Sequence, residues 1–261
     1  MNLRTVTATR YITPLREGGS LPAIVEADDE GLYVLKFRGA GQGPRALIAE
    51  LVAGEIGRAL GLPVPELVFI ELDPALGRNE PDFEIRDLLL ASAGQNLGLD
   101  YLPGSLPYNV AAPFPIDADL ASAIVWFDAY ITNIDRTPRN TNMLVWTRRL
   151  WLIDHGASLY FHHTWANYLE RARTPFKPIS EHALLPLATR LGAADERLRP
   201  LLTRATLEGI VALIPDAWLG DVPQFASVGQ HRAAYVDYLL TRRDASGVFV
   251  EEAEHARAQL V

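Results

Sequence analysis

Apolar and polar residues alternate in several short segments of the first third of the chain, and this pattern predicts strands, a turn and a helix. Residues 21–28, "LPAIVEAD", alternate loosely, "DDEG" is typical of a turn, and "LYVLKF" is a strongly β-prone run. Residues 44–60 favour a helix, because Pro44 suits its first turn and Gly61 suits its end. "GLPVPELVFIEL" then predicts another strand. The first third is therefore predicted as strand, loop, strand, helix and strand.

The remaining chain divides into an irregular middle and a helical end. Residues 73–116 are rich in Pro, Gly, Asn and Asp and are interpreted as a connection, with one short strand or crossing segment near "NLGLDYL". Residues 117–131 predict a helix that is capped by Asp117. Further helices are predicted over 180–192, 194–214, 228–243 and the terminal stretch "FVEEAEHARAQLV". We therefore expect an α+β protein with a β-rich first part, one main helix in that part, and a mostly helical second part.

Composition and charge narrow the classes of function. The chain has 261 residues, no cysteine, a formal net charge of −8 and a sequence pI of about 5.3. Without cysteine no disulfide can form, so packing must stabilise the fold. The acidic balance argues against a general surface for nucleic acid or for anionic membranes. No apolar run approaches the roughly 18–20 residues of a membrane span, and the N-terminus lacks the apolar core of a signal peptide, so a cytoplasmic protein is expected.

The segment "YITNIDRTPRNTNMLVWTRRLWLIDHGAS" holds the candidate chemistry. Asn140 follows Asp135 by five residues, and the apolar runs "MLVW" and "LWLI" predict a hairpin that returns Asp154 to the side of Asn140. Phosphoryl transfer needs a carboxylate that orients the attacking hydroxyl and hard oxygen ligands for Mg²⁺, which Asp and Asn provide. Either motif alone is also typical of an ordinary turn, because Asp and Asn bond their own backbone there. Together, in this order, they favour a kinase-type catalytic loop.

The first third offers matching candidates for nucleotide binding. Lys36 is a lone positive charge inside an apolar strand, although a solvent-facing strand position explains a single lysine equally well. The glycine pair of "REGGS" is a weak signal shared with simple turns, and it places a candidate phosphate loop at Gly18, Gly19 and Ser20. For the helix glutamate, periodicity selects Glu55 as the inward acid, because Glu50 lies nearly opposite the apolar side.

With these motifs in place, the sequence resembles the HipA-like kinases, a family of bacterial serine/threonine kinases related to toxin components of toxin–antitoxin pairs. The pieces "YVLKF", "AELVAGEIGRALGLPVPELVFIEL", "FDAYITNIDRTPRNTNMLVW" and "LWLIDHGASLYF" occur in this order within residues 33–161. The resemblance implies a two-lobed protein-kinase-like fold, with an N-lobe over 1–104 and a C-lobe over 105–261, that binds ATP and Mg²⁺. The chain has no histidine-arginine-aspartate triplet, since Asn133 and Ile134 precede Asp135.

The resemblance also implies a role for each candidate residue. The implied assignments are a catalytic aspartate at Asp135, metal ligands at Asn140 and Asp154, and a contact to the ATP phosphates at Lys36. Spacing within the family selects Glu50 rather than Glu55, since Glu50 lies fifteen residues before Pro65. The adenine needs a backbone edge between the lobes, and we place that hinge at Tyr101 and Leu102.

We expect a Mg²⁺-dependent ATP phosphotransferase that acts as a serine/threonine protein kinase, with a hydroxyl acceptor on a protein. Aminoglycoside and choline kinases share the Asp–Asn spacing, but their loop typically has a histidine near the first aspartate. Inositol-lipid kinases share the Asp-Arg start, but the acidic charge disfavours membranes. A pseudokinase that binds nucleotide without chemistry is the alternative from another class. Arg136 is expected to pair with an acid or the backbone, or to steady a phosphate, and Asn142 has no predicted role beyond capping the turn.

Overall fold

Strands from the N-terminal part close into a barrel in the computed structural model, which describes residues 2–15, 21–41, 43–78, 80–112 and 114–260. The barrel strands are β1 (Thr5–Pro14), β2 (Ala23–Ala27), β3 (Leu32–Lys36), β4 (Leu67–Leu72) and β5 (Gly94–Asp100). Their order is β1-β2-β3-β5-β4, and all neighbours are antiparallel except β4 and β1, which run parallel. The predictions of β2, β3 and β4 are confirmed.

Strand β1 and helix α2 (Phe83–Ala91) differ from the sequence prediction. The hydrophobic pattern does not predict β1, because Val6 and Ala8 are its only buried residues. The interpretation of residues 73–116 as a connection is wrong where helix α2 forms, whereas the short strand expected near "NLGLDYL" is present as β5, which is paired on both sides. Gly98, which makes β5 resemble a loop, is needed there because a Cβ atom would overlap the side chain of Ile70.

Helix α1 (Pro44–Ala59) is confirmed and lies between the barrel and the rest of the molecule. Residues 47–57 are buried without interruption. Because this helix is covered on all sides, no single apolar stripe marks its inward face. Gly57 lets neighbouring side chains approach closely, since a Cβ atom there would lie 2.9 Å from Val64 and 3.3 Å from Phe127.

The second part begins with helix α3 (Ala118–Ile131), as predicted. The side chain of Asp117 caps it by accepting a hydrogen bond of 2.7 Å from the N–H of Leu120. Most of the helix is buried, and its C-terminal end leads directly into the segment that carries Asp135.

The predicted hairpin follows that segment. It consists of β7 (Met143–Trp146) and β8 (Arg149–Leu152), and β6 (Leu106–Pro107) pairs with the outer side of β7. Thr147 and Arg148 form the turn, and both have positive φ, which suits a two-residue turn between twisted strands. The two candidate metal ligands, Asn140 and Asp154, therefore precede and follow the same hairpin.

The C-terminal helices agree with the prediction only in part. They are α4 (Tyr168–Arg171), α5 (Leu191–Leu198), α6 (Arg204–Val211), α7 (Asp216–Leu219), α8 (Val228–Asp244) and α9 (Ser246–Ala258). The helices predicted at 228–243 and at the terminus are confirmed. The helix predicted over 180–192 is wrong, because prolines there start short 3₁₀ turns at Lys177–Glu181 and Leu185–Leu187. The helix predicted over 194–214 is interrupted between α5 and α6.

Two apolar clusters account for the packing of the described residues. One fills the barrel interior, with Val25, Leu35 and Ile70 among its members. The other is continuous from α1 and the outer face of β4 into the helical part, where Phe69 meets Trp218 edge to face with ring centroids 5.8 Å apart. Among the described helices, none combines the length and the apolar character needed to cross a membrane.

Candidate active site

Lys36, the last residue of β3, lies between two carboxylates from distant parts of the chain. Its Nζ atom is 2.7 Å from Oδ1 of Asp154 and 3.5 Å from Oε2 of Glu50. Glu50 belongs to α1 and Asp154 follows β8, so the barrel, the helix and the hairpin converge on one ammonium group. Glu55, the acid that periodicity selects, lies 3.2 Å from Arg58 instead.

Burial and charge pairing act in opposite directions on this cluster. Burial alone would lower the pKa of Lys36, but the carboxylates of Glu50 and Asp154 outweigh it and hold that pKa above its usual range. Burial would likewise raise the pKa of Glu50, yet Lys36 and His155 bring it down to about 2. At neutral pH Lys36 and Glu50 are therefore both charged, and Lys36 is a cation that can contact a phosphate.

His155 fastens the chain after β8 to helix α1. Its backbone N–H donates to Oε2 of Glu50 at 3.0 Å, and its ring Nδ1 lies 3.3 Å from Oε1 of the same residue. The ring is fully buried and packs edge to face against Phe127, with centroids 5.7 Å apart. The neighbouring Asp154 has a φ of 56° and a side chain that is 42% exposed. This arrangement presents the Asp154 carboxylate to the open side of the cluster.

Asp135 lies in the loop between α3 and β7 and is held by two asparagines. The amide Nδ2 of Asn140 is 2.9 Å from Oδ2 of Asp135, and that of Asn142 is 3.2 Å from the same oxygen. The backbone N–H of Asp135 donates to Oδ1 of Asn133 at 3.1 Å. The loop therefore fixes Asp135 from both its backbone and its side chain.

A fully buried ion pair supports this loop from below. Nε of Arg136 lies 2.6 Å from Oδ2 of Asp128, and neither side chain is exposed. Asp128 also accepts from Asn133 at 2.8 Å and lies 2.9 Å from Nε2 of His182. Burial would raise the pKa of Asp128, but Arg136 and His182 hold it well below its usual range. The other end of Arg136 donates to the carbonyl of Asn142 at 2.5 Å, so the expectation that Arg136 pairs with an acid and the backbone is confirmed.

Asn140 and Asp154 offer the oxygen donors that Mg²⁺ prefers. The N–H of Ile153 donates to the carbonyl of Asn142 at 3.0 Å, and this bond ties the end of β8 to the loop that carries Asn140. Among the described residues, no group of three or more His, Cys, Asp or Glu side chains forms a metal site. This donor set fits a magnesium ion that takes most of its ligands from water and phosphate oxygens.

The remaining predicted contacts follow β5 or lie outside the described residues. Tyr101 follows β5, and its N–H donates to the carbonyl of Leu32 at 2.9 Å, while Leu102 is buried. The candidate phosphate loop at Gly18, Gly19 and Ser20 lies outside the described residues. The structure therefore brings together Lys36, Glu50 and Asp154, and separately Asp135 and Asn140.

Asp128 and His182 contact these groups but are not among the residues that the sequence pattern predicts. Asp128 had a detectable signal, because an acid inside the apolar run "AIVWFDAYI" must find a partner when the helix is buried. His182 carries no comparable signal, since its contact to Asp128 spans 54 residues of sequence.

Comparisons with known proteins identify the family and the fold. A family model described as HipA-like kinase matches residues 9–249. The fold is similar to the crystal structure of the proinflammatory kinase CtkA of Helicobacter pylori, with a TM-score of 0.60, 13% identity and coverage of 100% of both chains. It is also similar to a Golgi casein kinase with Mn/ADP bound, with a TM-score of 0.54, 12% identity and coverage of 97% of this chain and 74% of that chain. A search of curated proteins gave no match. At these identities the structural likenesses show a protein-kinase-like α+β fold.

Proposed function

The chain belongs to the HipA-like kinase family and is a kinase-type phosphotransferase, and on this premise we propose that it transfers the γ-phosphoryl group of ATP to a serine or threonine hydroxyl of a protein. The observation that carries the proposal is the position of Lys36, whose Nζ lies within 2.7 Å of a carboxylate 118 residues further along the chain. In kinases a strand lysine paired with a helix glutamate contacts the phosphates, and a later aspartate holds the metal. Lys36, Glu50 and Asp154 match these three positions.

The proposed ATP site lies between an N-lobe of residues 1–104 and a C-lobe of residues 105–261. Lys36 would contact the phosphates while Glu50 keeps its ammonium group in place. Tyr101 and Leu102 would supply the backbone edge for the adenine. The loop of Gly18, Gly19 and Ser20 is proposed to cover the phosphates, as the glycine-rich loop of a kinase does.

Asn140 and Asp154 are proposed to hold Mg²⁺, which supplies neutralisation of the phosphate charge when it is bound. The Golgi casein kinase has Mn/ADP bound, and this supports the use of a nucleotide with a divalent metal by a protein of this fold. For the present chain the support is the donor chemistry, since the exposed amide of Asn140 and the half-exposed carboxylate of Asp154 both offer hard oxygen atoms.

Asp135 is proposed to orient the acceptor hydroxyl and to accept its proton as the phosphoryl group is transferred. Its carboxylate is half-buried at the edge of the site, and its backbone is anchored through Asn133 to the buried Asp128. A rigidly held carboxylate lowers the barrier mainly by positioning the acceptor, because phosphoryl transfer needs little covalent help from the protein.

The variant Asp135→Asn tests this proposal. We expect phosphoryl transfer, measured as autophosphorylation with γ-labelled ATP and Mg²⁺, to fall by about 10²–10⁴-fold, because a positioned acid/base group contributes that much. The Kd for ATP should stay close to the wild-type value. Mass spectrometry of the labelled wild-type protein should find phosphoserine or phosphothreonine.

Asp87→Asn is the matched control, because Asp87 is an exposed aspartate on α2 and its replacement should leave transfer unchanged. Wild-type turnover in Asp135→Asn would refute the role of Asp135. ATP binding by the wild-type protein without any transfer would identify a pseudokinase instead.

A further inference from the structure

Two asparagine side chains bind the same oxygen of Asp135. The Nδ2 atoms of Asn140 and Asn142 lie 2.9 Å and 3.2 Å from Oδ2 of Asp135. An ionised carboxylate only accepts hydrogen bonds, so both amides must present their NH₂ groups to it. The amide oxygen of Asn140 is therefore left for another partner, such as the proposed metal.

We propose that Asn142 is a positioning residue for Asp135, which it holds by Oδ2 so that Oδ1 is free to receive the acceptor hydroxyl. The proposal rests on the proposed function of Asp135. No described residue donates a hydrogen bond to Oδ1 of Asp135, whereas Oδ2 receives two. Because each carboxylate oxygen has about two lone-pair sites, the two amides saturate Oδ2 and leave one defined oxygen for the substrate.

Asn142 is itself held more firmly than a residue that only caps a turn. Its carbonyl accepts from Arg136 at 2.5 Å and from the N–H of Ile153 at 3.0 Å. Its φ of 47° is left-handed, a conformation that Asn adopts more readily than most residues. The guanidinium of Arg136 is in turn fixed by the buried carboxylate of Asp128. The position of the Asn142 amide is thus set by the protein core, independently of any ligand.

This arrangement divides the work between the two asparagines. Asn140 is exposed and can turn its oxygen to the metal, so its contact with Asp135 depends on the state of the site. Asn142 differs from Asn140, because its backbone carbonyl is held by hydrogen bonds from Arg136 and Ile153. Asn142 therefore keeps Asp135 oriented while Asn140 serves the metal.

The substitutions Asn142→Gly and Asn142→Asp separate the amide from the backbone. Glycine and aspartate both tolerate the left-handed conformation, so neither variant strains the chain at this position. Asn142→Gly removes the donor, and Asn142→Asp keeps the size but replaces the donor with an acceptor that repels Asp135. Asn167, which is exposed and has a φ of 52°, is the matched control position for both substitutions.

The measurement is the steady-state kcat and KM for ATP with Mg²⁺, together with a thermal melt of each variant. We expect kcat to fall by about 10²-fold in Asn142→Gly, because misplacement of a reacting group by about 1 Å costs that much, and further in Asn142→Asp. The KM for ATP should not change, since Asn142 is not proposed to touch the nucleotide. Both Asn167 variants should match the wild type in kcat.

Each alternative result has a clear meaning. Wild-type kcat in either Asn142→Gly or Asn142→Asp would overturn the proposal, because a residue that only shapes the backbone tolerates both changes. A raised KM for ATP at unchanged kcat would also overturn it and assign Asn142 to nucleotide binding. Loss of transfer by the wild-type protein itself, with ATP still bound, would refute the function of the whole site rather than the role of Asn142.

Discussion

The buried pair of Asp128 and Arg136 gives the sharpest test of how the loop that carries Asp135 is supported, through the variant Arg136→Met. The two side chains are completely buried and 2.6 Å apart, so removal of the guanidinium leaves a carboxylate in the interior without its main counter-charge. Methionine retains much of the apolar volume of the arginine stem, and the change is therefore chiefly one of charge. We expect a large loss of stability.

The magnitude follows from the contacts that remain. Breaking a buried pair by removal of one partner costs about 3–5 kcal/mol of unfolding free energy. Asp128 retains Asn133 at 2.8 Å and His182 at 2.9 Å, so we expect the lower end, about 3 kcal/mol. For a chain of this size each kcal/mol lowers Tm by about 2–4 °C, so the melting point should fall on the order of 10 °C. The double variant Asp128→Leu/Arg136→Met should lose less than the sum of the single losses, because no buried charge is left unpaired.

The pH dependence has a defined sign. The pKa of Asp128 is lowered in the folded protein, so its ion pair contributes full stability above the unfolded carboxyl value of about 3.9. That contribution is lost as the pH falls below this value towards the folded pKa. The stability difference between the wild type and Arg136→Met should therefore be larger at pH 7 than at acidic pH.

Urea denaturation followed by tryptophan fluorescence at pH 7 measures these losses. Arg190→Met is the matched control, because Arg190 forms an ion pair of 3.1 Å with Asp119 in which both side chains are 60% exposed. Such a surface pair contributes at most about 1 kcal/mol. The reasoning fails if Arg136→Met loses no more than this control, or if the double variant loses the full sum of its parts.

Two further predictions concern the phosphate contact and the barrel. Lys36→Met should weaken ATP binding by at least about tenfold in a calorimetric titration, since a charged contact to phosphate is lost. The control is Lys177→Met, at the only other lysine of the chain, which should bind ATP as the wild type does. Equal affinity in both variants would contradict the role of Lys36. Gly98→Ala should lower the unfolding free energy by about 1–3 kcal/mol, because the new methyl group overlaps Ile70. In urea titrations, the added substitution Ile70→Ala should reduce the loss caused by Gly98→Ala. If the losses of the two substitutions simply add, the overlap is not the cause of the lost stability.

The local parts of the site could be predicted from the sequence, because they are formed by neighbouring residues. The spacing of Asp135 and Asn140 and the hairpin that leads to Asp154 lie within one short segment, where turn chemistry and strand propensity are legible. Hydrophobic periodicity cannot decide whether Glu50 or Glu55 is the helix glutamate that pairs with Lys36. Helix α1 is buried on all sides, so its apolar pattern does not indicate which face points to the site. Only the contact with Lys36 distinguishes the two acids.

The parts that the sequence did not predict depend on long-range contacts. Gly98 in β5 resembles a loop signal, and its purpose becomes visible only when Ile70 of β4 lies beside it. β1 is polar along most of its length because only its inner face at Val6 and Ala8 is covered. His182 reaches Asp128 across 54 residues, a distance over which local patterns carry no information.

The contact between Phe69 and Trp218 has a consequence for how the molecule can move. The outer face of β4, helix α1 and the helical part share one apolar cluster. Separation of the barrel from the helices would expose this cluster to water at a large cost in free energy. Entry and exit of the proposed nucleotide would then proceed with this apolar cluster intact, through rearrangement of side chains such as Lys36 and Asp154 rather than through a wide opening of two rigid halves. A substitution that disrupts this apolar cluster should accordingly affect the barrel and the helical part together, so the two behave as a single unit.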